Sequence, residues 1–195
     1  IMDYLGMKLT NRKTPLMHVS NAASLGFFDI EKNCFEKEAL KQFQVEFFPQ
    51  ITNNIEKLGT YKDIPVYVAI GDNQASFLGT VGNSDNIVLV NMGTGGQISL
   101  LTKNYVKIDG IETRPFINHQ YLLVGASLCG GKAYALLERF FREYVKEATG
   151  IETSQYEVME RLANQVTHSL DVCTTFNGTR ENPNLTGSIT NIKEE

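Results

Sequence analysis

Apolar positions in the opening stretch, Ile1 to Leu9, follow a helical pattern, and the polar run Asn11 to Thr14 before Pro15 ends it in a loop. Leu16 to Asn21 reads as a short extended piece. Ser20-Asn21-Ala22-Ala23-Ser24 reads as a loop or helix start, small either for tight packing or because a substrate lies beside it. Asp29, after Phe27 and Phe28, reads as a turn residue. Between Glu36 and Leu58, Leu40, Phe43, Phe47, Ile51, Ile55 and Leu58 recur every three or four residues. This spacing predicts two amphipathic helices separated near Pro49, with the phenylalanines on the core face and Gly59 as the stop.

Two apolar runs then end abruptly in small polar residues. Val66 to Ile70 leads into Gly71-Asp72-Asn73-Gln74, and Ile87 to Val90 leads into Asn91-Met92-Gly93-Thr94-Gly95-Gly96, after which Gln97 to Leu101 resumes a strand pattern. Gly110 to Phe116 and Tyr121 to Val124 predict two more strands. Gly125-Ala126-Ser127 leads to a helix from about Gly130 to Ala148, with Ala133, Leu136, Leu137, Phe140, Phe141 and Tyr144 as its buried stripe and Gly150 as its stop. Ser154 with Glu157 forms a capping box for a helix to about His168 that buries Met159, Leu162 and Val166. The order from Asn86 onward, four strands and then two helices, predicts an α/β layered domain built on an antiparallel meander rather than strict βαβ alternation. Gly79 to Asp85 is small and polar, which places a domain boundary near residues 82 and 83. The expected division is 1–82 and 83–195, with Asp72 and Gly93 on opposite sides of an interdomain cleft.

Composition narrows the function. The 195 residues are 42% apolar and 21% charged with a net charge of −4, which argues against a nucleic-acid protein or an anionic-membrane binder. No apolar run has the roughly 18 residues of a membrane span, and no signal peptide is visible. Cys34, Cys129 and Cys173 are scattered without CxxC spacing, as expected of reduced thiols in a cytoplasmic protein. The glycosylation patterns at Asn177 and Asn184 read as chance matches. The ends fall inside apparent elements, so a piece of a longer chain is expected.

Candidate chemistry gathers at the two loops. Asp72, after a buried strand and a glycine, is expected to be anchored and partly desolvated. It could act as a base toward a hydroxyl, or it could be a turn aspartate at the start of a helix over Gln74 to Leu78. Gly93-Thr94-Gly95-Gly96 could cradle phosphate through backbone N–H groups and the Thr94 hydroxyl, or could be a hairpin turn that needs glycine for its backbone. Gly125 and Gly130-Gly131 flank a helix start, which suits phosphate and suits close helix–strand packing equally. His18, His119 and His168 have no partners at metal spacing, and Cys129 lacks an acid–base pattern beside it. These residues by themselves indicate an α/β protein that handles nucleotide.

Gly71-Asp72-Asn73-Gln74-Ala75-Ser76-Phe77-Leu78-Gly79 resembles the GDxQAAxxG motif of the FGGY carbohydrate kinases, and Asn91-Met92-Gly93-Thr94-Gly95 resembles their phosphate-binding NxGT motif. Ser20 to Ser24 with Asp29 resembles the upstream S-N-A-S segment, and Val124-Gly125-Ala126-Ser127 the GAS stretch that touches nucleotide phosphates. Phe176-Asn177-Gly178-Thr179-Arg180, followed by Pro183 and Gly187-Ser188-Ile189, resembles the corresponding run of sedoheptulokinase-like members. The resemblance implies a ribonuclease H-like (actin-like ATPase) α/β fold, as parts of two domains around a cleft. It also implies ATP-dependent phosphorylation of a sugar or polyol, sedoheptulose or a related ketose, with Asp72 as general base. Asn73 and Gln74 would contact sugar, while Gly93, Thr94 and Gly125 would hold phosphates. ATP and Mg²⁺, the latter held through phosphate oxygens and water, are the implied cofactors, and no side-chain metal site is expected. Sugar and ATP are the expected partners, with a homodimer left open. The family's D-x-G-T and late G-G-x-x-S motifs are absent from this chain, so little activity is expected from it alone. The rival reading is a non-catalytic actin-like nucleotide-binding or regulatory module; a phosphatase of similar fold is a third.

Overall fold

A computed structural model describes residues 1–45, 48–82, 84, 86–167 and 170–192. They divide into two compact units, residues 1–89 with 99–125 and residues 90–98 with 126–195.

The first unit opens with α1 (Met2–Leu9), β1 (Leu16–His18) and α2 (Val19–Ala22), continues through the short β2 (Phe28–Asp29) and β3 (Cys34–Phe35), and reaches α3 (Lys37–Gln42). Next come β4 (Gln50–Thr52), β5 (Lys57–Tyr61), β6 (Ile64–Tyr67) and α4 (Asp72–Val81). β1 pairs in parallel with β4, Leu16 opposite Gln50 and His18 opposite Thr52. β5 and β6 form an antiparallel hairpin whose turn residues, Lys62 and Asp63, both have positive φ (47° and 65°). That is the backbone demanded by a tight hairpin turn matching the strand twist.

β7 (Val88–Met92), β8 (Gly96–Thr102), β9 (Glu112–Pro115) and β10 (Tyr121–Ser127) form a sheet in the order β7-β8-β10-β9. The expected meander is therefore broken: β10 lies inside, and β9 pairs antiparallel along its flank, Tyr121 opposite Pro115. An edge position suits Pro115, which has no N–H to give a further strand. The main core joins Phe77 of α4 to Leu101, Phe116, Ile117, Leu122 and Val124, with Leu78, Val81 and Leu89 packed against it. The Phe77 and Phe116 rings meet edge to face, their centroids 5.7 Å apart. A smaller cluster joins Leu16, Leu58 and Val68.

The second unit carries α5 (Gly131–Thr149), α6 (Tyr156–Ala163) and the antiparallel pair β11 (Asp171–Cys173) and β12 (Ser188–Thr190). No described helix is long and apolar enough to cross a membrane.

Three expectations are corrected. The paired helices predicted between Glu36 and Leu58 reduce to α3, which stops before Gln44 enters the left-handed region (φ 55°). Ile51 and Thr52 instead lie in β4, because a strand distant in sequence offers a ladder that the local pattern does not reveal. Gly59 sits inside β5, Phe43 is 62% exposed against Phe27, and Phe47 lies outside the described residues. The apolar stripe of α5 is not buried: Phe140 is 66% and Tyr144 69% exposed, while the buried residue is Glu138. Its carboxylate accepts the Gln155 N–H at 3.1 Å and lies 3.4 Å from Arg142 Nε. α6 is capped differently from the expected box, since its cap residue is Gln155 and Leu162 and Val166 are exposed. The predicted end at His168, like Asn83 and Asp85 in the expected boundary segment, falls outside the described residues.

Phe77→Ala removes a fully buried ring from the main core. The expected loss is about 3–5 kcal/mol, read as a lower midpoint in denaturant unfolding followed by circular dichroism.

Candidate functional site

The geometry of Asp72 is set from β1 outward. His18, at the end of that strand, caps α2: its Nδ1 accepts the Ser20 N–H at 3.2 Å and lies 2.8 Å from Ser20 Oγ. Nδ1 is therefore the unprotonated nitrogen, and the Ser20 hydroxyl donates to it. The same oxygen accepts the Gly71 N–H at 2.9 Å, and the Asn21 amide donates to the Ala69 carbonyl at 2.9 Å. Two adjacent side chains thus hold the backbone immediately before Asp72. Burial pushes His18 below its ordinary value of 6.5, partly opposed by the backbone of Asn53.

Asp72 is the first residue of α4, where the helix N-terminus favours a negative charge. Its Oδ1 accepts the Asn73 N–H at 2.6 Å. The side chain is exposed rather than partly desolvated, because the first turn of α4 points it away from the core that Phe77 enters one turn later. Gln74 is buried, and its amide donates to the Pro115 carbonyl at 2.9 Å, which fixes the first turn of α4 against β9. Asp72, Asn73, Gln74, Ser20 and Asn21 line one cavity of about 950 Å³. The sequence pattern located the aspartate. It did not locate His18, whose capping role has no local signature.

Gly93 and Thr94 belong to the second unit, in the turn 93–95. Gly93 N–H donates to the Gly95 carbonyl at 2.9 Å, while Gly130, Gly131 and Lys132 donate their N–H groups to the carbonyls of Thr94, Gly93 and Thr94 at 3.0, 2.8 and 3.3 Å. The first amides of α5 are thereby satisfied by the turn, and the glycines before the helix serve close packing. A Cβ on Gly130 would stand 2.5 Å from the Gly95 backbone, closer than any side chain can be. Gly93, Gly95, Asn91, Ser127 and Arg180 line a cavity of about 410 Å³. Gly125 lies in β10 just before the lining residues Ala126 and Ser127, and a Cβ there would approach the Ile111 side chain at 3.2 Å. Arg180 is a cation that site reasoning passed over, although it lay within the Phe176-to-Arg180 run. That loop turns at Gly178, whose φ is 68° and whose missing Cβ leaves room for the Pro183 carbonyl.

Among the described residues no group of three or more His, Cys, Asp or Glu side chains could hold a metal ion. Cys129 is buried, and Cys34 and Cys173 are exposed and unpaired with each other.

The chain is 28% identical to mouse (Mus musculus) sedoheptulokinase over 215 residues and 27% identical to the human (Homo sapiens) enzyme over 213, in each case across 98% of this chain and 44% of the relative. This chain resembles the FGGY carbohydrate kinases. It spans less than half the length of the relatives it matches. No protein-family model matches it. Among solved structures, xylulose kinase from Rhodospirillum rubrum aligns with a TM-score of 0.78 at 20% identity, covering 98% of this chain and 41% of that one. Gluconate kinase from Lactobacillus acidophilus aligns at 0.72, also at 20% identity, with 98% and 41% covered. The FGGY-like chain therefore has the mixed α/β, ribonuclease H-like (actin-like ATPase) fold of these sugar kinases.

Two outcomes are expected. Because the folded state holds His18 below 6.5, protonation favours the unfolded chain. Stability is then complete above that pH and falls as pH drops from 6.5 through the folded value, a slope that His18→Asn should remove in melts measured across pH. Gly130→Ala should force the turn off α5, lowering stability by about 1–3 kcal/mol in thermal unfolding.

Proposed function

We propose that the protein containing this chain is an ATP-dependent carbohydrate kinase that transfers the γ-phosphoryl group to a hydroxyl of a sugar or polyol, sedoheptulose or a related ketose being the preferred substrate. The observation that carries this reading is the cavity at the start of α4. An open carboxylate, Asp72, stands there on a backbone clamped by Ser20 and Asn21, in a chain similar to two sedoheptulokinases over 98% of its length.

In this reading Asp72 accepts the proton of the sugar hydroxyl as its oxygen bonds to the γ-phosphorus and the bond to the bridging oxygen of ADP breaks. Asn73 and Gln74 orient the sugar, and the buried Gln74 acts chiefly by fixing the first turn of α4. Gly93, Thr94 and Gly125 lie at or beside the phosphates, and Arg180 adds positive charge to the same cavity as Gly93. A guanidinium in a cavity lined by Gly93, Gly95 and Gly96 suits a nucleotide phosphate. Mg²⁺ would be held by phosphate oxygens and water and would supply charge neutralisation. The sugar side corresponds to residues 1–82 and the nucleotide side to 83–195. A cytoplasmic location agrees with the three unpaired cysteines.

Asp72→Asn in the intact polypeptide is expected to lower kcat for ketose-dependent ADP release by about 10²- to 10⁴-fold, with the fold unchanged by circular dichroism. A change in KM alone would remove Asp72 from the role of base.

A further inference from the structure

A run of hydrogen bonds leads from His18 to the residue before Asp72, and all of its donors point toward the ring. The Gly71 N–H donates to the Ser20 hydroxyl at 2.9 Å, the hydroxyl donates to His18 Nδ1 across 2.8 Å, and the Ser20 N–H donates to the same nitrogen at 3.2 Å. Gly71 is the cap residue of α4, so the run ends on the residue to which Asp72 is bonded. It stands only while Nδ1 carries a lone pair. A proton there sets an N–H against the Ser20 N–H and turns the hydroxyl proton away from the ring. His18 is fully buried and Ser20 is 5% exposed, so water has little access to replace what is lost.

The neighbouring elements carry ionisable groups, but among the described residues none is hydrogen-bonded or ion-paired to the ring. Thr52, opposite His18 in the β1–β4 pair, gives its hydroxyl to the Glu56 carboxylate. His119 is linked to this region through Asn33, whose amide donates to Asn53 and lies 3.5 Å from His119 Nδ1. Asp3 and Lys8 lie on α1, which contacts β1, and Asp72 follows Gly71. Burial therefore governs the ring and holds it below its ordinary value of 6.5, with the Asn53 backbone partly opposing.

We infer that His18 is a positioning residue for Asp72: through Ser20 its neutral ring fixes Gly71 and so the placement of the carboxylate, and a proton on Nδ1 releases that hold and lowers turnover. The inference rests on the carbohydrate-kinase reading, in which Asp72 must stand within hydrogen-bond reach of a sugar hydroxyl. His18 touches no substrate and transfers no proton. Because the neutral ring is the working form, positioning is complete above 6.5 and is lost as pH falls from there through the folded value.

The test uses the intact polypeptide, with ketose-dependent ADP release measured from neutral pH downward and the His18 ring and Gly71 amide followed by NMR. His18→Leu and Ser20→Ala break the link, whereas His18→Asn puts a non-titrating acceptor where Nδ1 stands. Each of the first two should lower kcat about 10- to 100-fold with the KM for ATP unchanged, since a misplacement of about 1 Å can cost that much. His18→Asn should recover most of the turnover lost in His18→Leu and should lose the part of the acid limb whose midpoint matches the ring titration. In wild type the Gly71 amide should lose protection from hydrogen exchange as the ring takes up its proton. An acid limb unaltered in His18→Asn, or full turnover in Ser20→Ala, overturns the role of His18 and leaves the kinase reading standing. No ADP release with any ketose or polyol overturns the kinase reading, while the Gly71 amide still decides whether His18 holds it. Should the variants fail to fold, wild type decides: a Gly71 amide that stays protected through the ring titration sinks the assignment.

Discussion

The Ser20 hydroxyl is shared between two partners, and the geometry around Asp72 depends on that sharing. It donates to His18 Nδ1 and accepts from the Gly71 N–H, so one oxygen couples the end of β1 to the residue before α4. The arrangement requires a neutral His18 with Nδ1 unprotonated, and burial supplies that condition by disfavouring the charged ring. Asn21 adds a parallel restraint two residues further back, at Ala69. A carboxylate at the first position of a helix can swing freely in isolation. Here its backbone is fixed from one side by α2 and from the other by the Gln74–Pro115 hydrogen bond.

The core serves the same end. Phe77 lies on α4 one turn beyond Gln74, and its edge-to-face contact with Phe116 anchors the helix on the residues that flank Pro115. Apolar packing sets where α4 lies, and the buried amide sets its rotation and register. The division of labour follows from the physics: burial is strong but non-directional, whereas a satisfied buried hydrogen bond is modest in net energy but exact in geometry.

In the second unit the comparable constraint is backbone against backbone. Three successive amides at the start of α5 are satisfied by two carbonyls of the 93–95 turn, an approach that only glycine at 130 permits. The turn is thereby tied to the start of α5.

Much of this chain was legible before its structure. α1, the strand before Asp72, the strands on either side of the 93–96 turn, and the long α5 all follow from period and punctuation, because these depend on residues close in sequence. Asp72 and the 93–96 turn stand out in the sequence for the same reason, as short runs of small and polar residues after apolar ones, although Asp72 opens a helix. Tertiary structure decided what local pattern could not. Ile51 and Thr52 form a strand because β1 lies beside them, β10 displaces β9 to the sheet edge, and the apolar stripe of α5 is real in sequence yet exposed in space. The capping role of His18 is likewise invisible in sequence. Hydrogen bonding and desolvation are properties of neighbours, and the neighbours of these residues are chosen by the fold.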